Sequence, residues 1–164
     1  MHAPLAIANA IVCLQPGRTH MALNKLVHLV HGWALANGRG VVANGAEVWR
    51  YGPVYRDVYE AFERFGHRPV GMTMPYAGTM DVPVVPTEDA WAWGVIRKVV
   101  EVHAGDDACA LSEICHAIDS PWRRVAERHD FRVAVGTVIP EEDMLEHFRR
   151  TLSIDRGMRA LATA

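Results

Sequence analysis

"MALNKLVHLVHGWALANG", residues 21–38, is the stretch on which the fold turns. Ala22, Leu26, Leu29 and Trp33 recur three and four residues apart and fall on one face of a helix. Asn24, His28, His31 and Leu35 fall on the opposite face, so a largely polar face is expected there. Thr19 can cap the start, and Asn37-Gly38 is a C-terminal signal. Trp33 is expected in the core.

Upstream, "PLAIANAIVCL" reads as a buried helix over about residues 4–14, begun by Pro4 and stopped by Pro16-Gly17. It has no cationic start and is interrupted by Asn9, unlike a signal peptide. Downstream, "EVWRYGPVYRDVYEAFERFG", residues 47–66, crowds aromatics and arginines around a Gly-Pro turn. "AEVWRY" suits a short strand, with "FRVAV" (131–135) as candidate partner. Pro53 suits the first turn of a third helix. Val54, Val58, Ala61 and Phe65 would line its core face, and Arg56, Asp57, Glu60 and Arg64 its wet face. Arg56–Glu60 and Glu60–Arg64 are spaced for i,i+4 ion pairs.

Residues 67–86 hold Pro69, Pro75, Pro83 and Pro86 with few charges and read as a long irregular loop. Thr87-Glu88-Asp89 opens a fourth helix running to about His103, with Val95, Val99 and Val102 facing inward. A fifth covers about 108–118. Ser120-Pro121 starts a short sixth. A last helix begins at Pro140, with an apolar stripe of Leu145, Phe148 and Leu152. The expected fold is mainly α: a compact single-domain bundle of about six to seven helices over residues 1–155 with a small β-hairpin or sheet. Residues 156–164 are expected to form a loose tail.

A chain of 164 residues can bury a real core without disulfides. Half its residues are apolar, 22% are charged, and the net charge of −2 gives no general field for phosphate backbones. No apolar run approaches the roughly 20 residues that span a bilayer. The three cysteines, Cys13, Cys109 and Cys115, have no framework spacing. They are expected to be reduced and mostly buried, in a cytoplasmic protein.

Nine histidines raise the question of metal, and His28 and His31 share a helix face. A site needs a third ligand, and neither HExxH nor paired CxxC occurs. Cys115 and His116 are neighbours that point about 100° apart on a helix, so they do not form a nucleophile–base pair. No phosphate loop, GxSxG elbow or dinucleotide fingerprint appears. No catalytic, metal-binding or cofactor-binding residue is therefore assigned. Arg50, Arg56, Arg64 and Arg68 could stack bases beside the tyrosines, but Asp57, Glu60 and Glu63 dilute their field. A helix–turn–helix over 108–128 would carry Arg123, Arg124 and Arg128 on its second helix. A DNA-binding regulator and a metal- or thiol-dependent enzyme are the alternatives these residues leave open.

The 47–66 stretch resembles the signature of the Panacea domain family, also known as phage-associated or GepA-like proteins, through Trp49, Arg50, Gly52, Pro53, Val54, Tyr59 and Gly66. "LNKLVHLVHGWAL" is similar to the family's Lys-Leu helix through Leu23, Lys25, Leu26, Gly32 and Trp33, although Val27-His28-Leu29 stands where an aromatic pair is common. "LSEICHAIDSPWRRV" is similar to its Leu…His…Pro-Trp segment through Leu111, His116, Pro121 and Trp122. The resemblance spans about residues 4–150. It implies an antitoxin, not an enzyme, that neutralises a protein toxin from a neighbouring gene by direct binding. Some relatives are thought to deliver the bound toxin to an energy-dependent AAA+ protease. The residues expected at the partner surface are Trp49, Arg50, Tyr51, Tyr55, Arg56, Tyr59, His116 and Trp122. Tyrosine, tryptophan and arginine are the types enriched at interface hot spots.

Overall fold

The computed structural model describes the backbone of residues 1–162 and the side chains of residues 1–153. The chain runs α1 (Pro4–Leu14), α2 (His20–Ala36), β1 (Glu47–Trp49), β2 (Gly52–Val54), α3 (Arg56–Phe62), a 3-10 turn (Glu63–Phe65), α4 (Ala90–Val102), α5 (Ala108–His116), α6 (Pro121–Arg128) and α7 (Glu141–Ala162). The fold is mainly α with one small antiparallel sheet, as expected. The expected boundary at residue 155 falls within α7, and the side chains of the tail 156–164 lie outside the described residues.

Helix starts follow local chemistry. The side-chain oxygens of Thr19, Asp89, Asp107 and Ser120 accept from the amides of Ala22, Ala92, Ala110 and Arg123. The α1 start is capped from afar. Asp57 Oδ2 on α3 accepts from the Leu5 amide at 3.1 Å, so Asp57 is half-buried and not the wet residue that its helix face suggested.

α2 is the axle of the bundle. Helices α1, α3, α4, α5 and α7 and strand β2 all pack on it. Its supposed polar face is therefore buried: Asn24 and His28 are each 1% exposed, His31 is 4% and Leu35 is 7%. α7 covers the part that holds His28 and His31, and Gly32 makes it possible. A Cβ at Gly32 would stand 2.2 Å from the Phe148 ring, so the aromatic lies directly on the α2 backbone. Trp33, expected in the core, is only half-buried.

Burial also sets the charge state of the two histidines. Desolvation lowers the pKa of His28 to about 3 and that of His31 to about 4. His31 Nδ1 accepts from the Val42 amide at 3.3 Å. Glu141 approaches His31 Nε2 only to 3.8 Å and is itself exposed, too weak a counterion to restore the charge.

The sheet differs from expectation. β1 pairs with β2 in the register Glu47↔Val54, Val48↔Pro53 and Trp49↔Gly52. Pro53 is thus a strand residue, and α3 begins three residues later. Residues 131–135 do not pair with β1. Asp130 and Phe131 adopt φ of 49° and 59°, which turns the chain away. The contact comes further on: the Val48 amide donates to Thr137 O and the Ile139 amide to Ala46 O, both at 2.8 Å. The expected Arg56–Glu60 pair is replaced by Arg56 with Glu47 on β1, at 2.8 Å. Val102 is exposed at the end of α4, while Ala92, Ile96, Val99 and Val100 face inward.

The irregular segment 67–86 is pinned to α1 by one side chain. Asn9, 1% exposed, donates to the carbonyls of Met74 and Pro83, both at 3.0 Å, and accepts from the Met74 amide at 2.9 Å. Asn9→Ala strands two carbonyls and an amide, and each unmet buried group costs about 1–3 kcal/mol. A net loss of about 2 kcal/mol in urea unfolding is expected, with proteolysis starting within 67–86.

Candidate functional site

The three segments that carry the sequence resemblance meet at one point, the β1–β2 hairpin. Lys25 on α2 lies wholly beneath it, and its ammonium donates to Pro53 O at 3.1 Å. Gly52 sits at φ 108°, a conformation L side chains avoid. A Cβ there would stand 2.8 Å from Lys25 Cε, 3.2 Å from Nζ and 3.4 Å from His116 Cε1. From the other side Trp122 Nε1 donates to Trp49 O at 2.8 Å. The Trp122 ring meets the His116 ring edge-on at 4.1 Å. Ser112 Oγ donates to Tyr51 O at 3.1 Å, and Asn24 Oδ1 accepts the Tyr55 amide at 2.8 Å. Side chains from α2, α5 and α6 thus hold the hairpin backbone.

Gly52→Ala combines left-handed strain, about 1–2 kcal/mol, with a collision against a buried side chain. The expected loss is about 2 kcal/mol in chemical unfolding, and Gly52→Val should lose more. A neutral Gly52→Ala would show that the hairpin relaxes without needing a glycine.

Outside this keystone lies an exposed aromatic and cationic surface. Trp49 is half-buried, donates through Nε1 to Glu47 Oε2 at 2.9 Å and tilts against Tyr59 at 4.9 Å. Arg56 binds both Glu47 oxygens and lies 5.8 Å from the Trp49 ring. Burial acts to raise the pKa of Glu47, but the hydrogen bonds from Trp49 and Arg56 outweigh it and leave the group lower than usual. Tyr59 meets His20 edge-on at 5.7 Å. Desolvation, then His67 and Lys25, lowers the pKa of His20. Tyr51 is 60% exposed, with the Arg50 guanidinium 5.4 Å from its ring.

The expected partner residues therefore divide in two. Arg50, Tyr51, Arg56, Tyr59 and an edge of Trp49 reach the surface together. Tyr55 and Trp122 do not: they are 2% and 7% exposed and belong to the core, and His116 is half-buried between hairpin and α6. Tyr55 stands one residue before α3, and its ring turns inward. Lys25, His20 and Ser112 escaped the sequence reading of the site. The visible signal for Lys25 was a lone cation in an apolar helical run.

The chain is similar to Antitoxin SocA of Caulobacter vibrioides (strain NA1000 / CB15N). The two are 26% identical over 135 residues, which is 80% of this chain and 72% of SocA. No family model matches the chain, and no solved structure matches it.

Chemistry elsewhere has little to work with. Cys115 is buried, and desolvation pushes its thiol up to about 12, only partly countered by Lys25, so it is a poor nucleophile. Cys13 and Cys109 are exposed, against the expectation of mostly buried thiols. Among the described residues no group of three or more His, Cys, Asp or Glu is arranged to hold a metal ion. No helix among them is long and apolar enough to cross a membrane.

The arginines of the α5–α6 segment are occupied internally. Arg123 pairs with Glu127 at 2.7 Å and Arg124 with Glu146 at 3.0 Å. Arg128 grips both oxygens of Asp143, at 2.6 and 2.8 Å. α6 is a brace to α7, and its cations are already neutralised where a recognition helix would need them for phosphates.

Proposed function

We propose that this chain is an antitoxin of the Panacea type. It neutralises a cognate protein toxin, encoded by a neighbouring gene, through direct contact. The observation that carries the reading is the similarity to Antitoxin SocA over four-fifths of the chain. The hairpin face supports it physically. Tyr51, Arg50, Arg56, Tyr59 and the edge of Trp49 are the residue types that dominate interface energies. Bonds from Lys25, Trp122 and Ser112 hold their backbone in place, so ordering them on binding costs little entropy. No catalytic role is assigned to any residue. Delivery of the bound toxin to an AAA+ protease in the cytoplasm is the further step implied by the family resemblance.

The test is co-expression. The adjacent open reading frame, expressed alone, should arrest growth. Growth should return when this chain is co-expressed, and the two proteins should co-purify in a fixed ratio. A harmless neighbour, or one that does not bind, would end the antitoxin reading. Protease delivery makes a separate prediction: the toxin half-life shortens when this chain is present and lengthens again in a strain lacking the protease. An unchanged half-life with growth restored would leave sequestration alone.

A further inference from the structure

A cavity of about 330 Å³ opens between the first turns of α2 and the hairpin. Trp49, Tyr51, Tyr59 and His20 form its walls, exposed Arg50 stands at its rim, and fully buried Lys25 lies on its α2 side. No carboxylate is among its lining residues. Arg50 has no ion-pair partner among the described residues, unlike Arg56, which is consumed by Glu47. The hydrogen-bond partner of the Lys25 ammonium is a carbonyl, and among the described residues no carboxylate pairs with it. Glu63 lies near Tyr59 and His20, outside the lining. On a chain of net charge −2, this pocket is a local positive site with aromatic walls.

From this charge and shape, and resting on the antitoxin reading, we infer that the pocket receives one large apolar side chain of the toxin with a carboxylate beside it. The side chain enters between Trp49, Tyr51 and Tyr59, and the carboxylate pairs with Arg50 over the buried Lys25. The walls are set before binding: Trp49 is fixed through Nε1 to Glu47 and braced by Tyr59. An aromatic-walled pocket enclosed by charged residues is the arrangement in which a buried anchor gains most from desolvation.

The experiment measures affinity between this full-length chain and the purified product of the adjacent open reading frame by titration calorimetry. The variants are Arg50→Glu, Tyr51→Ala and, on the remote α4 surface, Arg97→Glu. All three positions are surface positions, and circular dichroism with thermal melts checks that each variant folds. Arg50→Glu is expected to weaken binding by about 30-fold or more, the scale of an interface hot spot. Tyr51→Ala should weaken it by about tenfold. Arg97→Glu should stay within about twofold of wild type. Raising salt from about 0.05 to about 0.5 M should weaken the wild-type complex and move Arg50→Glu far less. Binding of Arg50→Glu within about threefold of wild type would overturn the inference and leave the antitoxin reading intact. Wild-type affinity indifferent to salt would do the same. A wild-type chain with no affinity for the toxic product would remove both.

Discussion

Trp122→Ala is expected to lose about 3–5 kcal/mol of folding stability, the range for truncating a large buried aromatic. Trp122 is 7% exposed, and α6 uses it as the bolt between α5 and the hairpin. Truncation empties the space beside the His116 ring, 4.1 Å away between centroids. It also strands Trp49 O, which receives the indole N–H at 2.8 Å. Trp122→Phe separates the two effects. It keeps most of the packing and loses the bond, so about 1–2 kcal/mol should go. Urea unfolding followed by far-UV circular dichroism would read both. A loss below about 1 kcal/mol for Trp122→Ala would mean that α6 and the hairpin are held mainly by other contacts. Weaker binding of the proposed toxin by a folded Trp122→Phe would then reflect a displaced hairpin, since the side chain itself is inside.

Lys25 should make stability rise with pH. Burial lowers its pKa from 10.5 to about 8. Below about pH 8 the lysine is charged in both native and unfolded chains, and the native state bears the full desolvation cost. Between about 8 and 10.5 the native chain has released a proton that the unfolded chain still holds. The unfolding free energy therefore increases across this window. Each pH unit is worth about 1.4 kcal/mol, so the span amounts to roughly 3 kcal/mol. Other groups titrate there too, so the quantity to measure is the difference between wild type and Lys25→Met. Wild type should gain roughly 3 kcal/mol relative to the variant between pH 7 and 10.5. At pH 7 Lys25→Met should be at least as stable as wild type, because an apolar side chain of similar volume replaces a buried charge without a carboxylate partner. A pH-independent difference would place the ammonium in contact with water. A stable Lys25→Met that binds the proposed toxin poorly would show that the cation is kept for recognition at the expense of stability.

Much of the secondary structure was legible along the chain. Thr19, Asp89 and Ser120 cap where their side chains meet amides three residues on, and Pro4 and Pro121 open helices whose first amides need no partner. These are interactions within a single turn, so the local sequence suffices. The turn at Gly52-Pro53 was likewise readable from the residue types, and Gly52 adopts the left-handed conformation that glycine tolerates.

Long-range pairing was not legible. Periodicity correctly grouped Asn24, His28 and His31 on one side of α2, but whether the two histidines met water depended on α7, more than a hundred residues away, folding back over Gly32. Arg56 had an acid one turn along its own helix and found a better one across the hairpin, where Glu47 presents both oxygens to its planar guanidinium. Tyr51 and Tyr55 look alike in sequence, yet one is 60% exposed and the other 2%, because the chain turns between them. The sequence by itself determined the helices, their caps and the hairpin's glycine, all set by forces acting within a few residues. Only the tertiary structure decided that Lys25 would be buried under that hairpin and which aromatics would remain outside, because burial is settled by segments distant in the chain closing on one another.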